Sequence, residues 1–216
     1  MRVTGLLGGT FNPIHFGHLR MAQELANSLQ LDEVRFIPSA NPPHKSTPEV
    51  SAKHRAEMVK VAIADNPLFK LDEREMQREG ASYTIDTLIS LREELGSKTA
   101  ICLFMGSDAF IHLNTWHRWQ ELLDYCHIVL VQRPNLSAEH PKLPEALETL
   151  LHEHYTENTI DLATKSAGLV HMQKITALDI SSTKIRTMLQ NRESPRYLMP
   201  ENILTFIQQH QLYSTI

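Results

Sequence analysis

Short apolar runs alternate along this chain with stretches whose apolar residues recur every three or four positions. The run at 3–7 is stopped by Gly8 and Gly9, the pattern of a strand buried on both faces. Leu19, Ala22, Leu25, Ala26 and Leu29 then repeat at helical spacing. Further strands are expected at 34–37, 68–71, 99–105, 127–131 and 169–172. Helices are expected at 52–63 behind Ser51 as cap, at 84–95 with Gly96 as stop, and at 145–153, 181–189 and 201–209. Alternation of this kind builds βαβ units, and these build a mostly parallel sheet, so the expected fold class is α/β. Ligands bind such sheets beyond the carboxyl ends of the strands, where the strand order reverses. Three expected strands run into polar, structure-breaking sequence at that end: Gly8-Gly9-Thr10, the proline-rich loop at 38–45, and Gly106-Ser107-Asp108. These segments are expected to gather around one crevice.

Composition narrows the classes. A length of 216 residues suits one domain, 1–216, or one domain with a small appendage. The 21 Lys and Arg against 25 Asp and Glu leave a charge of −4, without the basic surplus that a nucleic acid polymer demands. The apolar run at 100–105 is six residues long, whereas a membrane helix needs roughly 20. The start of the chain is too short in apolar residues and too broken by glycine for a signal peptide. Cys102 and Cys126 lack CxxC spacing and sit in apolar surroundings, as the reduced thiols of a cytoplasmic protein do. The count of 12 histidines is high. His152 and His154 among them read as an exposed helix face rather than as a metal carrier.

The densest segment is Gly8-Gly9-Thr10-Phe11-Asn12-Pro13-Ile14-His15-Phe16-Gly17-His18. Glycines after a strand permit tight backbone geometry and close ligand approach. The following helix start offers free N–H groups and the positive end of its dipole to an anion. His15 and His18 are three apart and share a face of the first turn. There they can donate to phosphate oxygens and stabilise charge in phosphoryl-type transfer. The segment carries neither GxxxxGK[ST] nor GxGxxG. A zinc reading lacks a third ligand and HExxH, so no metal ligands are assigned.

A second segment, Ile180-Ser181-Ser182-Thr183-Lys184-Ile185-Arg186, looks like a helix N-terminus, with hydroxyls ahead of an apolar face. It reads either as an ordinary cap or as a second phosphate cradle. In the latter, Arg186 suits paired phosphate oxygens because its donors form a fork. Asn41-Pro42-Pro43-His44-Lys45 offers two phosphate partners. Ser82-Tyr83-Thr84 reads as a helix start with Ser82 or Thr84 as cap. Asp108 reads as a ribose or near-metal acceptor, or as a cap. One of Trp116 and Trp119 is free to stack on a flat ring. Arg133 ends a strand at the ligand edge.

The first segment resembles the HxGH signature of the Rossmann-like nucleotidyltransferases, and the second is similar to the ISSTxIR signature of that group. NPPHK, SYTIDTL, GSD, the Trp116 region and Arg133-Pro134 together resemble the bacterial nicotinate-nucleotide adenylyltransferases. The resemblance implies a doubly wound, mostly parallel sheet with helices on both faces and a small C-terminal helical part, about 181–216. It implies that His15, His18 and Arg186 act on the triphosphate of ATP, accompanied by Mg²⁺. Gly8, Gly9, Thr10, Phe11, Gly106, Asp108, Ile180, Ser181, Ser182 and Thr183 would line the ATP site. Asn12, His44, Lys45, Thr84, Asp108, Trp116, His117 and Arg133 would hold nicotinate mononucleotide. In that arrangement Trp116 stacks on the acceptor ring, and His44, Lys45 and Arg133 take its phosphate. Backbone N–H groups near Trp116 and Thr84 take its carboxylate. His117 occupies a position that is often aromatic in relatives. The implied reaction is direct in-line transfer of AMP without a covalent intermediate, by a monomer or weak homo-oligomer with no membrane or polymer partner. Alternatives are another acceptor on the same fold (nicotinamide mononucleotide, phosphopantetheine or glycerol phosphate) and, from another class, a non-catalytic nucleotide sensor or an RNA-binding module.

Overall fold

The computed structural model describes residues 1–41, 48–132, 143–176 and 178–213. In chain order it runs β1 (Arg2–Gly9), α1 (Phe16–Ser28), β2 (Glu33–Pro38), α2 (Ala52–Ile63), β3 (Phe69–Leu71) and α3 (Thr84–Leu95). Then come β4 (Thr99–Gly106), α4 (Ser107–Phe110), α5 (Leu122–Tyr125), β5 (His127–Gln132) and α6 (Glu145–His154). The chain continues through β6 (Tyr155–Thr156), β7 (Val170–Lys174), α7 (Ser182–Gln190) and α8 (Glu201–Gln209). Among the described residues the strands form one sheet in the order β3-β2-β1-β4-β5-β7-β6, and every neighbouring pair is parallel. The chain winds outward from β1 through β2 to β3, then returns to the other side of β1 with β4. The strand order therefore reverses between β1 and β4.

Both faces of the sheet are covered, and β4 shows how the sequence achieves this. Ala100, Cys102 and Phe104 enter one core with Leu25 of α1, Met58 of α2, Ile185 of α7 and Ile203 of α8. Ile101, Leu103 and Met105 enter the other with Leu88 of α3, Leu122 of α5 and Leu147 of α6. Successive side chains of a strand point to opposite faces, so an unbroken apolar run serves two cores at once. Truncating a fully buried leucine such as Leu88 would cost about 2–5 kcal/mol.

The expected strands and helices form with ends shifted by a residue or two. The two-residue β6 was not foreseen, since so short a piece carries no periodicity. Neither Ser82 nor Thr84 caps α3: Tyr83 holds the cap position and no side chain bonds there. The Ser82 hydroxyl accepts instead from the Asn41 N–H at 3.1 Å. Asp108 likewise makes no cap bond to α4. His154 is half-buried rather than on an exposed face, with Nδ1 2.9 Å from the Gly168 carbonyl. Cys102 and Cys126 are free, buried thiols, and burial pushes Cys102 up to about 12. Of the loop expected at 136–144, residues 136–142 lie outside the described residues. No described helix is long and apolar enough to cross a membrane.

Candidate active site

At the reversal point the carboxyl ends of β1 and β4 open onto a cavity of about 630 Å³. Gly8, Gly9 and Thr10 enter it from β1, Ser39 from the end of β2, and Asp108 from the turn after β4. Tyr83, Thr84 and Thr87 wall it from α3, and Trp116 and His117 from the turn beyond α4. A Cβ on Gly8 would touch nothing within 4 Å, so the missing side chain leaves clear space above the strand end. The three strand ends thus meet as expected. Residues 42–47 and 133–142, which carry the predicted His44, Lys45 and Arg133, lie outside the described residues.

The first motif folds around its histidines. Phe11 takes φ 48°, a left-handed conformation that costs a side-chain-bearing residue about 1–2 kcal/mol. Its ring is buried and meets His18 edge-on, with centroids 5.1 Å apart. His15 is the N-cap of α1: its Nδ1 accepts from the Gly17 N–H at 3.1 Å. A ring nitrogen that accepts carries no proton, so the neutral imidazole of His15 has its proton on Nε2. A Cβ on Gly17 would stand 2.9 Å from Cε1 and Nδ1 of His15, so glycine makes room for that cap. The His15 and His18 rings stack with centroids 3.8 Å apart and planes 30° apart, as their spacing predicts.

The second motif docks onto the first. Ser181 caps α7 through the Lys184 N–H at 3.2 Å. The Ser182 hydroxyl donates to the Pro13 carbonyl at 2.9 Å. Arg186 donates through Nη1 to the Asn12 carbonyl at 2.8 Å and through Nη2 to the Thr183 hydroxyl at 3.4 Å. Ile180 presses close as well, its carbonyl 3.5 Å from where a Gly17 Cβ would stand. Neither α1 nor α7 has an acidic residue in its first turn, so no first-turn carboxylate opposes an anion at either helix start.

The α3 side is built differently. With no side-chain cap, the first N–H groups of α3 have no partner from a capping residue, and the helix starts at the cavity wall. Trp116 is half-buried against the second core. His117 stacks on Tyr83, with ring centroids 4.4 Å apart, and so takes the aromatic place itself. Asp108 is exposed beside them.

Sequence reading missed two residues here. Glu75 lines the cavity almost fully buried, with Oε1 accepting from the Thr87 hydroxyl at 2.8 Å. Burial raises its pKa above the usual carboxylate range. It sits in a charged stretch, Asp72 to Glu79, that reads as solvated surface. Tyr213 is also buried, and its hydroxyl donates to Asn12 Oδ1 at 2.7 Å. Burial lifts this phenol above the usual tyrosine range, which keeps it neutral. No cluster of three or more His, Cys, Asp and Glu that could hold a metal occurs among the described residues.

Comparison with known proteins agrees with this architecture. A family model described as cytidylyltransferase-like matches residues 6–188. A curated relative from Pseudomonas fluorescens, named "Probable nicotinate-nucleotide adenylyltransferase", is 46% identical over 97% of this chain and 96% of its own length. One of the same name from Halorhodospira halophila is 45% identical over 94% and 91%. Among solved structures, the nicotinic acid mononucleotide adenylyltransferase of Plasmodium falciparum in complex with NaAD superposes with a TM-score of 0.72 at 17% identity. That superposition covers 99% of this chain and 98% of the other. The Plasmodium enzyme complexed with APC gives a TM-score of 0.71 at 16% identity. Identity this low speaks to the fold; the full-length curated relatives and the family model speak to descent. By those matches the chain belongs to the cytidylyltransferase-like family and, within it, to the nicotinate-nucleotide adenylyltransferases.

Proposed function

We propose that the protein transfers AMP from ATP to nicotinate mononucleotide, giving nicotinate adenine dinucleotide and pyrophosphate. The observation that carries this reading is the Arg186–Asn12 contact, which joins the second motif to the segment that runs from the cavity-lining Gly8, Gly9 and Thr10 into the histidine pair. The names of the relatives supply the acceptor.

In this reading the phosphate of the acceptor attacks the α-phosphorus in line, and the bond to pyrophosphate breaks. A phosphate monoester is largely ionised at neutral pH, so the attacking oxygen needs no strong base. The protein contributes position and preorganised donors. His15 offers Nε2–H, fixed by the cap bond at its other nitrogen. His18 lies against it, and Arg186 has a planar fork for the oxygens of the leaving group. Mg²⁺ carried by the triphosphate would neutralise charge on the phosphates, with the exposed Asp108 the cavity carboxylate placed to approach it. The ring of the acceptor would lie by Trp116, with its carboxylate toward the uncapped N–H groups of α3.

The test is pyrophosphate release from Mg²⁺-ATP with nicotinate mononucleotide, nicotinamide mononucleotide, phosphopantetheine and glycerol phosphate in parallel. Rapid release with nicotinate mononucleotide is expected. Faster release with another acceptor, or nucleotide binding without release, would overturn the proposal.

A further inference from the structure

Arg55 is 1% exposed and lies wholly inside the protein, yet no carboxylate pairs with it among the described residues. Buried arginines ordinarily meet an acid, because carbonyl groups satisfy the donors without cancelling the charge. Here the guanidinium is held entirely by carbonyls. Nη1 donates to Thr10 at 2.6 Å, Nη2 to Ser39 at 2.8 Å and Ala40 at 3.4 Å, and Nε to Val50 at 3.3 Å. The neighbouring phenol of Tyr213 is neutral and contributes no counter-charge.

The place of these carbonyls matters. Thr10 and Ser39 follow β1 and β2 directly, and both line the cavity. The Ser39 N–H adds a bond to the Gly9 carbonyl at 2.9 Å, so the two strand ends and the guanidinium form one tied unit. One fork thus fixes two walls of the crevice and leaves a full positive charge behind them.

The chain contains its own control. Arg92 on α3 also donates to four carbonyls, those of Gly96, Thr99, Tyr125 and Ser166, at 2.6–2.9 Å, and among the described residues no carboxylate pairs with it either. Thr99 begins β4, and Tyr125 and Ser166 precede β5 and β7, so Arg92 ties the amino ends of the strands. The two arginines have the same chemistry and stand at opposite ends of the sheet. What separates them is that one lies under the crevice.

We propose that Arg55 is a positioning residue for the reaction: it aligns the ends of β1 and β2 and supplies the buried positive charge beneath the bound phosphates. This inference rests on the phosphate-transfer reading given above. Arg55 touches no substrate itself; it acts through the Thr10 and Ser39 backbone and through the low-dielectric interior, where charge is poorly screened.

The experiment compares Arg55→Lys, Arg55→Met and Arg92→Met with wild type, in turnover with Mg²⁺-ATP and nicotinate mononucleotide and in the melting shift induced by Mg²⁺-pyrophosphate. Arg55→Lys keeps the charge but not the fork. It is expected to retain most of the pyrophosphate-induced shift while kcat falls roughly tenfold or more. Arg55→Met is expected to lose both, with kcat/KM down roughly a hundredfold. Arg92→Met is expected to lower the melting temperature and leave kcat and the pyrophosphate shift near wild type. Should Arg55→Met fail to fold, Arg55→Lys against Arg92→Met still decides. Arg55→Lys with wild-type kcat, or Arg92→Met as impaired as the Arg55 variants, overturns the inference. The pyrophosphate arm needs no acceptor. A wild-type protein that shifts with pyrophosphate yet makes no dinucleotide would refute the reaction proposed above, while the Arg55 comparison would still read out.

Discussion

The Tyr213 hydroxyl donates a 2.7 Å hydrogen bond to the side-chain oxygen of Asn12, joining residues 201 positions apart. Arg186 holds the carbonyl of the same asparagine. Asn12 is thus gripped at its side chain by the end of the chain and at its backbone by the second motif, three residues before His15. Tyr213→Phe keeps the buried ring and deletes the donor. It is expected to fold normally and to lose about 1 kcal/mol of active-site alignment, roughly fivefold in kcat/KM. Steady-state kinetics beside a melting curve would show it; unchanged kinetics would mean that Asn12 needs no such hold.

His18→Ala should cut turnover by roughly 10²- to 10³-fold, since it removes a donor at developing charge. Circular dichroism should be unchanged because α1 does not depend on His18 for its cap. A His18→Ala protein that still released pyrophosphate at the wild-type rate would remove this histidine from the mechanism.

Gly17→Ala tests the space around the cap. The added methyl would collide with the His15 ring. The ring must turn, and its Nε2–H turns with it. Turnover is expected to fall roughly tenfold or more. Folding should suffer less, because alanine favours helix over glycine by up to about 1 kcal/mol. The informative pair of measurements is kcat and melting temperature, which should move independently.

Glu75 makes stability depend on pH. Its pKa is raised in the folded protein, so the folded state holds that proton more tightly than the unfolded chain. The favourable contribution is complete below the unfolded value of 4.5 and is lost as pH rises through the raised folded value. Glu75→Gln carries no titrating group and can still accept from Thr87. The melting temperature of wild type relative to Glu75→Gln should therefore decline as pH rises from about 4.5 towards neutrality. A difference between the two that stays constant with pH would show that folding leaves the Glu75 carboxyl unshifted.

What could be read in advance follows from where each signal resides. The stacking of His15 on His18 was legible because both lie within one helical turn, where spacing fixes geometry. The two cores were legible in outline because apolar runs mark strands buried on both faces. The fork of Arg55 across Thr10, Ser39, Ala40 and Val50 was not, since contacts to backbone carbonyls impose no residue type on their partners. The bare start of α3 was misread because Ser82 has the chemistry of a cap and its hydroxyl is spent on Asn41. Tyr213 gave no hint, because a late aromatic residue looks the same whether it seals a core or braces a distant asparagine.

The sheet also divides the labour of the site. The histidine pair, Arg186 and Tyr213 belong to the layer of α1, α7 and α8, whereas Thr84, Trp116 and His117 belong to the layer of α3 and the turns after β4. On the proposed reading, one layer grips the triphosphate and the other meets the acceptor, with the strand ends as the seam between them. New acceptors could then arise by redrawing one side of the molecule while the machinery on the reverse side is inherited intact.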